Sequence, residues 1–313
     1  MRNLMIGGLV AALALSTPVS AETDWVAKSN EHAQLVLDLL AEFSPEGAAS
    51  FGVDGLDEEI SDMSEGTYER GIQSSRELLV ELQSRLEAET EPKVRQDLGI
   101  LIQTVEDNIY SSELDRNNML PYFNMSQMVF YGVRGLIDPQ IPRERYPAAV
   151  TRMEKYAGIA NGYEPITEQA KARTIERIEV EGLIGPYRGQ IEQDLQRAET
   201  FVTGINDLLA GTDLQGWEGT YDTLATQLRD YNDWIRAEIL PRARDDYRLP
   251  AVMYENSLKN WGVDASPEEL IEQATKGYMD IRNEMEALAP QIAREKDWET
   301  HDYREIIAML KEE

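Results

Sequence analysis

An all-α fold follows from three features of the sequence. Apolar residues recur at spacings of three and four in one segment after another, which lines one face of a helix each time. Proline, glycine and capping residues fall between those segments. No run of alternating residues reads as a set of strands, and no Asn-Gly or Asp-Gly hairpin joins β-rich stretches. The expected architecture is a multi-helix, elongated or bundle-like single domain over residues 22–313, behind a cleaved leader. A subdivision near residue 140 also fits the pattern.

Residues 1–21 read as a secretory signal peptide. Arg2 gives a positive start, Leu4 to Leu15 are apolar and uncharged, and Val19-Ser20-Ala21 offers small residues before a cut at Glu22. Twelve apolar residues make a helix of about 18 Å, short of a bilayer core of about 30 Å. No Cys follows for lipid attachment, and no later apolar run is long enough to cross a membrane. The expected location is periplasmic or secreted, without stable membrane insertion after cleavage.

The first helix of the mature chain is expected over 29–43, with Leu35, Val36, Leu39, Leu40 and Phe43 on one face and Ser44-Pro45-Glu46-Gly47 as its stop. A second runs from Ser64 to Glu89 through Ile72, Leu78, Leu79, Leu82 and Leu86. Pro92 suits the first turn of a third, which carries Val94, Leu98, Leu101, Ile102, Val105 and Ile109. Ile141-Pro142 opens a segment that Gly158 closes, and further helical patterns cover 164–181, 187–210 and 217–240. Pro241 and Pro250 bracket an irregular stretch. Ser266-Pro267-Glu268-Glu269 is a capping box with Pro in the first turn, and the helix it opens carries Leu270, Ile271, Ala274, Tyr278, Ile281, Met285 and Leu288 to about Pro290. Asp302 with Glu305 repeats the capping spacing before Ile306, Ile307 and Leu310.

Composition narrows the function classes. The 313 residues hold 58 acids and 30 bases, a net charge of −28. Such an excess of acid disfavours nucleic acid, whose phosphates must be met by Lys and Arg. With no Cys there is no disulfide framework, thiolate metal site or cysteine nucleophile. Asp54, Asp57, Glu58, Glu59, Asp62 and Glu65 lack the alternating ligand pattern of a calcium loop and read as a solvated acidic loop. The stretch Leu120 to Tyr131 reads as a Met and aromatic core segment, with a ligand cleft as its alternative. Arg242 to Pro250 reads as a local salt-bridge cluster, with a peptide-terminus site as its alternative.

The chemistry of known hydrolytic sites is missing. There is no His-Glu-x-x-His, no Gly-x-Ser-x-Gly elbow and no Gly-rich nucleotide loop. The only histidines are His32, beside Glu31, and His301, followed by Asp302 and by Glu305 one helical turn on. A zinc site needs three ligands, so these two would have to meet and recruit a third; otherwise they are surface or capping residues. No catalytic, cofactor-binding or metal residue is assigned. Carboxylate-only acid–base catalysis stays open, since the many acids single out no pair.

An ordered set of short stretches resembles a bacterial family called domain of unknown function 885. The set comprises Ser29-Asn30-Glu31-His32, Phe43-Ser44-Pro45-Glu46-Gly47, Leu120-Pro121-Tyr122 with Val129-Phe130, Arg145-Tyr146-Pro147 with Tyr156-Ala157-Gly158, Asp245-Asp246-Tyr247-Arg248-Leu249-Pro250, Gly262-Val263-Asp264, Glu284-Met285 to Ala289-Pro290, and Asp302-Tyr303-Arg304. The resemblance implies a fold similar to helical zinc carboxypeptidases, with a His-Glu-x-x-Pro-Gly-His signature in the C-terminal half of the family. No position here matches that signature, so zinc is expected only in full-length members and not in this chain. The chain then reads as the N-terminal half of an exported metallopeptidase-like protein, inactive alone, with the complementary C-terminal half and a peptide ligand as expected partners. Its close on Lys311-Glu312-Glu313, acids opposing the helix dipole, fits a truncation. Two other readings stay open: a stand-alone periplasmic helical binding protein, and an enzyme using carboxylates alone.

Overall fold

The computed structural model describes residues 21–312, which form helices throughout and no strand. The segment read as a leader therefore lies outside the described residues up to position 20. Two isolated bridges, Met119 with Ile184 and Tyr187 with Arg244, are the closest approach to β-structure among the described residues. These residues divide into two compact units, one through Arg248 and one from Leu249.

In the first unit, α1 (Ala21–Phe43) is longer than its apolar periodicity predicts, because Trp25 extends the same face onto the core. Pro45 both ends α1 and opens α2 (Pro45–Ser50): its ring disfavours helical backbone at Ser44, and its missing N–H is harmless in a first turn. α3 (Thr67–Ala88) and α4 (Pro92–Asn118) form a helical hairpin packed on α1. Leu82, Val94, Leu98, Ile102 and Val105 are buried between them, with Leu35, Val36, Leu78 and Leu79 at their edges.

The larger core is built around α5 (Met125–Ile137), whose Met125, Val129, Val133 and Leu136 lie on one buried face. Asn124 caps it by accepting from the Gln127 N–H at 3.1 Å. α6 (Pro147–Tyr156), α7 (Ile166–Ile175), α8 (Arg188–Ala210) and α9 (Glu218–Trp234) complete this core with Met153, Tyr156, Ile166, Ile205, Leu224 and Tyr231. Residues on both sides of 140 share that core. α9 runs into a π-turn, Ile235–Ile239, and a 3-10 turn that ends with Pro241 and Arg242. Gly158 closes α6 at φ 68°, a backbone that a side chain would strain. The Leu120 to Tyr131 stretch is core, as its composition predicts, although Tyr131 stays about half exposed in a ring cluster with Phe130 and Phe201.

The second unit holds α10 (Ala251–Asn260), α11 (Pro267–Lys296) and α12 (Tyr303–Glu312). The capping box at Ser266 forms, with the Glu269 N–H donating to Ser266 Oγ and the Ser266 N–H donating to Glu269 Oε2 at 2.8 Å. α11 passes through Pro290, where the sequence suggests an end. Ala289 and Ala293 pack on Ile306 of α12 and secure the final turn, offsetting the missing proline hydrogen bond. α12 is capped by Asp302, which accepts from the Arg304 N–H, while Glu305 bonds the Thr300 hydroxyl rather than reaching back to Asp302.

The expected solvated loop at 54–65 is a strap held down by charge, because it runs past Arg145, in the 3-10 turn before α6, and Lys155 on α6. Asp57 accepts from Arg145 Nε and Nη2 at 2.7 and 2.6 Å, and Glu59 pairs with Lys155 at 2.9 Å. Asp54, Glu58 and Glu65 remain exposed. The Arg242 to Pro250 stretch does form ion pairs, Arg188 with Asp245 and Arg248 with Asp246.

Gly132 is required where α5 meets α6, since a Cβ there would lie 2.2 Å from Tyr156 Oη. Gly132→Ala is therefore expected to destabilise the protein by about 1–3 kcal/mol through overpacking. Gly135→Ala, whose Cβ meets nothing within 4 Å, should be neutral or stabilising by up to about 1 kcal/mol. Urea midpoints of the two variants check this, and equal effects would refute it.

Candidate functional site

The first unit carries a cleft of about 520 Å³ between α2, the strap, α5 and the start of α6. Its apolar wall is Met128, Tyr131, Leu136 and Ile141, and its charged groups are Glu46, Arg145 and Arg152. The first turn of α2 delivers Glu46 to the floor. There Oε1 accepts from the Tyr156 hydroxyl at 2.6 Å and the Ser61 N–H at 3.0 Å, and Oε2 accepts from the Ser61 hydroxyl at 2.6 Å. Three donors already hold this carboxylate, so it is a fixed negative post rather than a free base.

Tyr156 is fully buried, and burial with the adjacent Glu46 charge pushes its phenol well above the ordinary tyrosine value. It therefore stays protonated and can only donate to Glu46. Arg152 is 2% exposed and braces the same floor. Its Nη1 donates to Gly132 O and its Nη2 to Leu56 O, each at 2.8 Å, which ties α5 to the strap. At the rim, hydrogen bonds from Arg145 hold the Asp57 carboxyl below the usual range. The cleft thus presents both signs of charge in fixed positions beside an apolar wall, a setting for a small amphipathic or zwitterionic ligand. A second groove of about 640 Å³ flanks the other side of the strap, where Asp62, Glu164 and Glu168 face Arg173. Asp62 is paired with Arg70 and Glu168 with Lys171, and these are solvent-facing pairs.

Neither histidine lies in the cleft. His32, expected at the surface or at a cap, is buried on α1 with Nδ1 3.2 Å from Arg85 Nη1. A guanidinium cannot accept a hydrogen bond, so Nδ1 accepts and the proton sits on Nε2. Beside it Lys28 pairs with Glu89 at 2.7 Å, and Glu89 also accepts from the Thr90 and Glu91 N–H groups at 2.8 Å. His301 is exposed in the second unit. Among the described residues no three His, Asp or Glu side chains gather as a metal-ligand set. The residues present therefore do not fit the zinc centre that the resemblance attaches to full-length members.

The charged residues of the cleft escape sequence reasoning, whereas Met128 and Tyr131 belong to the Leu120 to Tyr131 stretch, for which a ligand cleft is the alternative reading. Glu46 is legible only as part of a helix stop, and its partner Tyr156 lies 110 positions away. Another local signal is Gly132 with Gly135 in an otherwise apolar helix, which marks a place of close approach.

Fold and site together define an all-helical protein with a preformed, charge-floored cleft and no strand among its described residues. The chain belongs to the bacterial proteins of unknown function grouped as DUF885, whose family model matches residues 45–313. Comparison with curated proteins and with solved structures returns no match in either.

The His32 environment has a signed pH consequence. Burial first and Arg85 second lower its folded-state pKa below the unfolded value of about 6.5. Above that pH both states are neutral. As pH falls through it the unfolded chain takes the proton first, so stability is lost between about pH 6.5 and the lower folded value. Glu89 acts in a lower window: it is held at about 2, so its contribution disappears as pH falls from the ordinary glutamate range toward that value. Urea midpoints at pH 7.5, 6.0 and 5.0 should show His32→Gln gaining on the unmodified protein as pH drops. A difference that does not change with pH would contradict this.

Proposed function

We propose that this chain is the non-catalytic N-terminal portion of an exported, metallopeptidase-like protein, and that its cleft beside α5 holds a short peptide. The cleft carries this reading. Its floor offers fixed charges of both signs at Glu46 and Arg152, its rim adds Arg145, and its wall offers Met128, Tyr131 and Ile141 to an apolar side chain. Peptides supply the same combination of termini, amide groups and side chains. The metallopeptidase and export elements rest on the family resemblance and on the leader-like first residues, and the non-catalytic element on the lack of a His-Glu-x-x-Pro-Gly-His match. A stand-alone exported binding protein is the second reading, favoured by the closed core around α5 in the first unit.

Both readings place binding at the cleft and hydrolysis elsewhere. Titration calorimetry with a set of di- to hexapeptides should find ligands, and the same peptides should survive incubation with the protein and added zinc. Gly135→Leu fills the cleft from an open helical position and should weaken binding at least about tenfold without lowering the melting temperature. Binding unaffected by Gly135→Leu, or no peptide bound at all, would refute the assignment. Peptide cleavage that survives chelation and falls with a single carboxylate substitution would establish the carboxylate-only enzyme instead.

A further inference from the structure

One periodic feature has no role in the cleft. Ile271, Ala274, Tyr278, Ile281, Met285 and Leu288 recur along α11 at alternating spacings of three and four, the repeat of a coiled-coil seam. A seam of this kind ordinarily faces a partner helix. Here Ile271, Tyr278, Ile281 and Leu288 are each more than half exposed. α12 covers only the last turns of α11, where Ala289, Ile292 and Ala293 pack with Ile306, so the exposed seam runs from Ile271 to Leu288. α11 spans about 45 Å, whereas α10 and α12 have ten residues each, too short to cover its length.

We propose that this seam is a self-association surface, on which α11 pairs antiparallel with α11 of a second copy. Two observations select that occupant and orientation. The first is self-complementarity under a two-fold axis. Ile271 faces Leu288 of the second copy, Ala274 faces its Met285, and Tyr278 faces its Ile281, so a long side chain meets the small alanine and the three contacts repeat on the other side of the axis. The second is charge. Residues 267–281 carry four acids and one base, and residues 282–296 carry three of each. A parallel pair would lay acidic half on acidic half; the antiparallel pair sets each acidic half beside a balanced one. Flanking the seam, Thr275 lies near Arg282 of the second copy and Gly277 near its Glu284, so no like charges meet.

Light scattering and sedimentation of the full chain test the proposal. The mass should rise toward twice that of the chain over micromolar concentrations, and association should tighten with salt, because two chains of net charge −28 repel beyond the seam. Ile281→Glu should weaken association at least about tenfold with an unchanged melting temperature. Val80→Glu, an equally exposed apolar site on α3, should have no effect. The chain lacks cysteine, which allows orientation to be read directly. Under mild oxidation Ile271→Cys mixed with Leu288→Cys should form a crosslinked dimer, while neither variant should crosslink alone. A monomer at all concentrations, a dimer unmoved by Ile281→Glu, or self-crosslinking of Ile271→Cys by itself would overturn the proposal. So would a monomer that binds only a different polypeptide through this face.

Discussion

The polar tie beneath Gly132 is the constraint on which the first unit depends. Residues 51–66 form no helix of their own and contribute little apolar surface beyond Ile60 and Met63, so burial alone would not position them. Their path is fixed by Arg152 bonding Leu56 O, by Glu46 bonding Ser61, and by the pairs of Asp57 and Glu59 with Arg145 and Lys155. Burying a guanidinium and a carboxylate is costly unless their hydrogen bonds are met; here two carbonyls accept from Arg152 Nη1 and Nη2, leaving only its Nε without a partner, and a phenol, a hydroxyl and a backbone N–H donate to Glu46. The same tie creates the cleft: holding the strap away from α5 leaves space between them and places charge at its floor.

The second unit is organised on another principle. Its buried core is small, chiefly Ala289, Ala293 and Ile306 with Trp298 and Tyr303 at the edge. Short side chains bury little area, so capping carries more of the local specification, as in the box at Ser266 and the left-handed Asp297 that ends α11. A long helix with a minor core on one face and an apolar seam on another gains most from a partner along that seam. The two units thus present different surfaces, one concave and charged, one linear and apolar.

Much of the fold was legible residue by residue. Leu82, Leu98, Ile102 and Val105 fall on the buried faces that three-and-four spacing assigns them, and Ser266 caps as its motif requires. The failures share a cause. α2 is too short to show a period, and α5 is apolar over so much of its length that a one-sided stripe does not stand out. Pro290 was a local stop signal that packing on α12 overrode. The strap reads as solvent-exposed because its sequence shows its own acids and not Arg145 and Lys155, some ninety positions further on.

The sequence by itself determined the helical class, most of the helix starts and the lack of cysteine, since these depend on residue type and near-neighbour spacing. Tertiary structure alone decided the cleft, the burial of His32 and the exposure of the α11 seam. Each of these arises from residues far apart in the chain, whose meeting depends on how whole helices pack, and no local pattern encodes that.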